Sequence, residues 1–164
     1  MALVLDGTTG IVSANIADGT ISASDLASGA ITSAALPAGS VIQVVHNYSA
    51  STFNTTGGDT LSTSITPLKA SSKIVITAMV NYLVNPGSNA WAYVYLNRNG
   101  GNLTSAGGSI NSAVMHEQGV PVIYTDTPNT TSTLTYVLGV GRGSGGTTSM
   151  DHYKSSIVIM EVSA

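Results

Sequence analysis

Apolar residues recur at every fifth position along the leading part of the chain, separated mostly by Ala, Ser, Thr and Gly. The series consists of Ile11, Ile16, Ile21, Leu26, Ile31, Leu36 and Val41. Neither a helix nor a strand keeps residues at this interval on one face, and so few apolar groups cannot close a core alone. The pattern therefore predicts a segment that packs against copies of itself.

Two interpretations of this repeat place the same seven residues inside an assembly. In the first, each ten-residue unit holds a short strand around Gly-x-Ile and then a tight helical turn, with Ser22 to Asp25 as a capping box and Gly29 as a stop. In the second, short strands cross throughout and the apolar residues meet at a three-fold axis, as in a β-prism. A flexible linker is the third interpretation, and the strict register argues against it.

From Val41 onward the pattern changes to β-branched runs separated by Gly, Pro and Asn turns, which is typical of a β-sandwich or jelly roll. No helix longer than two turns is expected. The predicted strands are Val41–His46, Ser72–Val84, Ala90–Asn97, Pro121–Tyr124, Thr131–Val140 and Ser155–Val162.

Two of these strands are apolar on both faces. Along Ile74–Val84, Val75, Met79 and Leu83 oppose an equally apolar set, and Ile157–Val162 has the same character. A strand with one solvated face alternates apolar and polar residues. The outer face is therefore expected to be covered, and three sandwiches packed around an axis would cover it.

The amino-acid composition argues against several classes of function. Only 8% of the residues are charged, the net charge is −3 and there is no Cys. A nucleic-acid binder would concentrate positive charge, and no apolar run approaches the roughly 18 residues that span a bilayer. We expect no nucleic-acid partner, no membrane insertion, no disulfide and no thiolate metal site, so the excess apolar surface is assigned to subunit contacts.

Five stretches of this sequence resemble a family of small bacteriophage virion proteins, and the likeness covers nearly the whole chain. They are the repeat at residues 16–21, the segment Leu36 to Val45, and head motifs at residues 68–74, 95–100 and 156–162. The resemblance implies a trimeric fibre head without catalytic residues. The pattern along the chain divides it into an anchoring segment at 1–9, a trimeric stalk at 10–40 and an all-β, jelly-roll-like sandwich at 41–164. Leu3, Val4 and Leu5 are the expected anchoring residues.

Candidate chemistry is weak elsewhere in the sequence. The eight carboxylates stand chiefly in turns, and no two are spaced as an acid and base pair. His46, His116 and His152 lack the spacing of metal ligands, and residues 139–146 are glycine-rich without a following helix pattern. We predict no catalytic residue, no metal site, no cofactor and no enzymatic activity.

Trp91, Tyr93 and Tyr95 alternate along one strand and so share a face. We interpret this face as a subunit interface, with stacking on host glycan as the alternative. In the glycan interpretation, Gly100–Gly108 and Gly141–Thr148 would be adaptable rim loops.

The expectation as a whole is a homotrimeric virion protein. It would be a fibre or a cement-like decoration, with a slight preference for the capsid because a stalk of about 30 Å is short. Its partners would be its own copies and, through the N-terminus, capsid or tail proteins. The alternative is a tail-fibre tip that binds a host surface glycan.

Overall fold

The computed structural model describes residues 21–50, 53–55, 58–84, 90–110, 116–142 and 150–164. The chain divides into two compact units, Met1–Leu36 and Pro37–Ala164. The second unit is all-β and antiparallel. The described residues include only two short 3₁₀ helices, Ala23–Asp25 and Ser33–Ala35.

A four-residue turn explains the period of five in the described part of the repeat. Turns begin at Ser22, Ala27, Thr32 and Pro37, and in each the N–H of the fourth residue donates to the C=O of the first, over 2.9–3.2 Å. One apolar residue follows each turn, so every five-residue step is a turn plus a single apolar position. The tight helical turns of the first interpretation are confirmed at two of these four positions.

A side-chain cap or a glycine is present in three of these four turns, those that begin at Ser22, Ala27 and Pro37. The carboxylate of Asp25 accepts from the N–H and the hydroxyl of Ser22, which confirms the half of the predicted capping box in which the acidic side chain binds the N-cap N–H. These bonds lower the pKa of Asp25. Gly29 and Gly39 have φ of 80° and 88°, a left-handed conformation that favours glycine. Gly29 therefore occupies the third position of its own turn, Ala27–Ala30, and the prediction that it stops the preceding helix was wrong.

The described residues of the second unit form nine strands. They are β1 (Val41–Ser49), β2 (Phe53–Thr55), β3 (Gly58–Ile65), β4 (Lys73–Val84), β5 (Ala90–Arg98), β6 (Gly101–Ile110), β7 (His116–Asp126), β8 (Leu134–Arg142) and β9 (Met150–Val162). The first sheet has the order β1-β9-β4-β7, with β2 also paired to β9, and the second has the order β3-β8-β5-β6. With the short β2 set aside, this is the strand order of a jelly roll.

Three strands were missing from the sequence prediction, and the short β2 is one of them. The segment Gly101–Ile110, which includes most of the predicted rim loop Gly100–Gly108, is the edge strand β6 paired with β5. Asn99 and Gly100, both with positive φ, form the tight hairpin between them. The strand β3 was also missed, and it lies at the opposite edge of the second sheet. The prediction of a rim loop at 100–108 was therefore wrong.

The core lies between the two sheets and follows the alternation of each strand. In β4 the inward residues Ile74, Ile76, Ala78 and Val80 are buried, and Ile157 and Ile159 of β9 lie beside them. The second sheet contributes Leu61, Ile65, Val94, Leu96, Leu134, Tyr136, Leu138 and Val140. Val94 and Leu96 confirm the prediction that the aliphatic side of β5 faces the core.

Buried polar groups join the layers at defined points. Asp126 of β7 accepts from Arg98 Nη1 (2.7 Å) and from the hydroxyl of Tyr136 (2.7 Å), both of which belong to the second sheet. Glu161 is fully buried, and its carboxylate accepts from the backbone N–H groups of Leu68 and Lys69 at 2.8–3.1 Å. Satisfied groups of this kind fix the relative position of the elements that they connect.

Candidate functional site

The apolar series is exposed where the structure describes it. Ile21 and Ile31 are 56% and 57% exposed, and Leu26 is also exposed, whereas Leu36 is half-buried. Isolated exposed aliphatic residues are ordinary on protein surfaces, but a regular series of them needs an explanation. Ile11 and Ile16 lie outside the described residues, as do Leu3, Val4 and Leu5 of the predicted anchor.

Val41 continues the series into the second unit. It is exposed at the start of β1 and pairs with Val162 of β9. A bulge between Val41 and Gln43 adds one residue to β1, so that Val41 and Val44 both point outward. The last member of the apolar series is therefore also the first residue on the outer face of the first sheet.

That outer face is rich in Val, Ile and Met side chains, and we call it the aliphatic face. The cross-strand register places its residues in three rows that run across β1, β9, β4 and β7. The rows are Val44–Met160–Val75–Thr125, His46–Val158–Thr77–Ile123 and Tyr48–Ser156–Met79–Pro121. Val44 is 58% exposed and Ile123 is 76% exposed. This arrangement confirms the prediction that β4 and β9 are apolar on both faces.

The outer face of the second sheet is polar by comparison. Ser62 and Ser64 of β3 and Ser105 of β6 are exposed there. Ser64 shares a 2.9 Å hydrogen bond with Thr135 of β8. The two outer faces of the sandwich therefore differ in chemistry, although the two inner faces share one core.

Tyr93 and Tyr95 lie half-buried on this polar face, where they cover the backbone of β8. Tyr95 is directly opposite Gly139 in the register and Tyr93 is opposite Gly141. A β-carbon added at either glycine would overlap the facing tyrosine ring. The side chain of Trp91 lies outside the described part, so the two tyrosines are placed on one face and the role of the tryptophan stays a prediction.

The phenol of Tyr95 is already engaged within the chain. It donates a 2.8 Å hydrogen bond to Asp59 of β3. Partial burial and this bond raise its pKa above the ordinary value for tyrosine. The ring centroids of Tyr93 and Tyr95 are 6.2 Å apart and their planes are tilted by 49°. The two tilted rings therefore cover Gly139 and Gly141, and the hydrogen bond to Asp59 holds the ring of Tyr95 in place. The sequence prediction missed this contact.

The described residues offer little for catalysis. Among them, no three His, Cys, Asp or Glu side chains gather as metal ligands do. A small cleft beside β7 is lined by Val94, Leu96, Thr104, Ser105 and neighbouring residues, none of which is titratable. His46 is exposed, whereas the side chains of His116 and His152 and residues 143–148 of the predicted second rim loop lie outside the described part. Within the described ranges, no helix has the length and apolar character of a membrane span.

No family model and no curated protein matches the chain. Among solved structures, it is similar to a chain of a T13 IBDV viral particle, with a TM-score of 0.45 and 12% identity over 73% of this chain and 32% of that chain. It is also similar to the infectious bursal disease virus VP2 subviral particle, with a TM-score of 0.44 and 14% identity over 71% and 32% of the two chains.

A further similar structure is dimeric latent PorU from Porphyromonas gingivalis, with a TM-score of 0.40 and 11% identity over 77% of this chain and 14% of that chain. The chain therefore spans about a third of the viral chains and a smaller share of PorU. Likenesses at these TM-scores and identities assign no function, so the functional case is made from the chain's own residues.

Proposed function

We propose that this chain is a structural protein of a bacteriophage virion, assembled as a homotrimer. The leading repeat joins three copies, the segment at 1–9 binds the shell or tail, and the sandwich is displayed on the particle surface. The observation that carries the proposal is the apolar series: Ile21, Leu26, Ile31 and Val41 are exposed in the single chain, and one apolar residue follows each four-residue turn.

The magnitude of the hydrophobic effect favours a role for the whole series. Covering the exposed half of one Ile side chain contributes about 1 kcal/mol, which is less than one association step costs. A single position therefore cannot hold copies together, whereas a series repeated in every copy can. The Ala, Ser and Gly residues between the apolar positions let neighbouring backbones approach closely.

Two further features support a virion role. The motifs at residues 36–45, 68–74, 95–100 and 156–162 resemble small phage virion proteins, and the strand order is that of a jelly roll, an architecture that capsid and lectin domains use. The short repeat favours a capsid decoration over a far-reaching fibre.

Sedimentation of the purified full chain tests the assembly. The wild type should sediment as a trimer, and Ile31→Asp should raise its dissociation constant at least 100-fold because three like charges would gather near one axis. Thr32→Asp is the matched control, since Thr32 is the adjacent exposed residue and its side chain makes no cap hydrogen bond. A wild-type monomer at micromolar concentration would refute the proposal.

Electron microscopy of particles tests the location. Antibody against the sandwich should label the phage particle, and labelling of the capsid rather than the tail would support the decoration role. Particles that lack the protein altogether would contradict a virion role.

A tail-fibre tip that binds host glycan is the second candidate. The observation that favours it is the polar outer face of the second sheet with Tyr93 and Tyr95 upon it. Host-cell binding that is lost in Trp91→Ala, with sedimentation unchanged, would support this candidate. Absence of binding to host cells and to glycan arrays would remove it.

A further inference from the structure

The two outer faces of the sandwich differ in polarity. The outer face of the second sheet presents serines, threonine and internally bonded tyrosines, which suit water. The aliphatic face of the first sheet presents Val44, Met79 and Ile123 as exposed side chains. Exposed apolar residues that adjoin one another across four strands are typical of a contact surface.

Charge on the aliphatic face is confined to its ends. None of the twelve residues in the three rows is an Asp, Glu, Lys or Arg; Lys73 and Lys154 lie beyond the first and the third row along β4 and β9, and Glu117 and Asp151 both pair with Leu83 farther along the sheet. His46 and Thr77 are the polar side chains of the middle row. Such a face offers apolar contact over its centre and little charge for recognition of an oppositely charged partner, so its partner should be apolar as well.

A second copy of this chain is the partner that the connectivity favours. Val41 ends the apolar series and pairs with Val162, and from there the apolar surface continues through Val44 and Met160. Copies joined along the series up to Val41 begin β1 at the same place, which brings their aliphatic faces within reach. We propose that the aliphatic face is the contact between sandwiches of neighbouring copies, a proposal that rests on the trimer described under Proposed function.

This assignment follows the sequence expectation that neighbouring sandwiches cover the outer face of β4 and β9, and it differs from the expectation for the aromatic residues. The aromatic residues of β5 were the expected interface, but Tyr93 and Tyr95 are used to cover Gly139 and Gly141 within the chain. In the proposed arrangement the first sheet faces the neighbouring copies and the second sheet faces outward.

Cysteine accessibility in the full chain tests this proposal, because the chain has no native Cys. Val44→Cys should react with a maleimide at least 10-fold more slowly than Ser62→Cys, which places the probe on the exposed outer face of the second sheet. The two rates should become equal in urea. Separately, Val44→Asp should raise the trimer dissociation constant at least 100-fold, and Ser62→Asp should change it less than 3-fold.

The outcomes separate this proposal from the proposed function. Equal labelling rates in a sample that sediments as a trimer would overturn the aliphatic contact and leave the trimer intact. A monomeric sample would overturn both proposals. Slow labelling of Val44→Cys in a monomer would show that another segment of the same chain covers the face, which also contradicts the contact between copies.

Discussion

The hydroxyl of Tyr136 donates a 2.7 Å hydrogen bond to Oδ2 of Asp126 across the two sheets of the sandwich. Arg98 binds both oxygens of the same carboxylate through Nη1. Tyr136 is completely buried, Asp126 is nearly so and Arg98 is partly exposed. One carboxylate therefore neutralises a cation and satisfies a buried phenol at the same time.

Removing the charge of this carboxylate should destabilise the fold. Asp126→Asn keeps the size of the side chain, but it removes the charge that pairs with Arg98 and weakens the hydrogen bond that the Tyr136 hydroxyl donates. We therefore expect the free energy of unfolding to fall by about 2–4 kcal/mol. Urea denaturation followed by circular dichroism measures it. Asp59→Asn, at an exposed position, is the control and should cost less than about 1 kcal/mol. Equal stabilities of the two variants would contradict the role given to Asp126.

Stability should fall at alkaline pH because burial and the bond to Asp126 raise the pKa of Tyr136 in the folded state. The unfolded chain loses this phenolic proton above about pH 10 while the folded chain keeps it. The stabilisation that comes from the raised pKa of Tyr136 is therefore fully present below pH 10. It is lost as pH rises, by at most about 1.4 kcal/mol per pH unit for one tyrosine.

Tyr136→Phe checks this slope. The variant should lose about 1 kcal/mol at neutral pH with its hydrogen bond, yet its stability should decline less steeply than that of the wild type between pH 10 and 12. Tyr95→Phe/Tyr136→Phe should flatten the decline further, since the pKa of Tyr95 is also raised. Parallel declines in the wild type and Tyr136→Phe would refute the assignment.

Enlarging Gly139 should be costly. A methyl group there would overlap the ring of Tyr95, so Gly139→Ala must displace the ring and its bond to Asp59, at a cost of about 1–3 kcal/mol. Gly101→Ala is the matched control, because its new β-carbon would meet only a backbone oxygen at an ordinary 3.5 Å. Thermal unfolding compares the two variants, and an unchanged melting temperature in Gly139→Ala would show that the ring moves freely.

One buried hydroxyl offers a route to a more stable protein. Thr63 is 6% exposed, and among the described residues its Oγ1 has no hydrogen-bond partner. Replacing it with Val should raise the free energy of unfolding by about 1 kcal/mol, because an unpaired polar group leaves the core. Thr131→Val is a control at an exposed position between β7 and β8. Destabilisation of Thr63→Val would mean that the hydroxyl has a partner such as a bound water.

Strands with strong local signals could be predicted from the sequence, and those that depend on distant partners could not. The local sequence is enough to recognise the β-branched runs of β4 and β9 and the Asn99-Gly100 turn. The strand β6 reads Gly-Asn-Leu-Thr-Ser-Ala-Gly-Gly-Ser-Ile, whose composition is that of a loop, and it is a strand because β5 supplies the hydrogen bonds along its length. Pairing with a neighbouring strand therefore outweighs the low intrinsic strand propensity of this segment.

The candidate surfaces show the same division. The register of five and the doubly apolar strands are visible in the sequence, so the exposed apolar surface was predictable. That Tyr93 and Tyr95 would face Gly139 and Gly141 was not, because that pairing joins residues more than forty positions apart. The jelly-roll order likewise depends on which strands pair, and the alternation within one strand does not contain that information.

The end of the chain is bonded to the place where the leading segment enters the sandwich. The N–H of Gly39 donates to the C=O of Ser163, and the N–H of Ser163 donates to the C=O of Ser40, at 2.7 and 2.9 Å. If the leading segment is tethered and the sandwich is pulled by flow or collision, these two bonds carry the load first, ahead of the pairing of β1 with β9. These two bonds should therefore resist separation of β1 from the sandwich, and the force needed to detach β1 should depend on the last few residues of the chain.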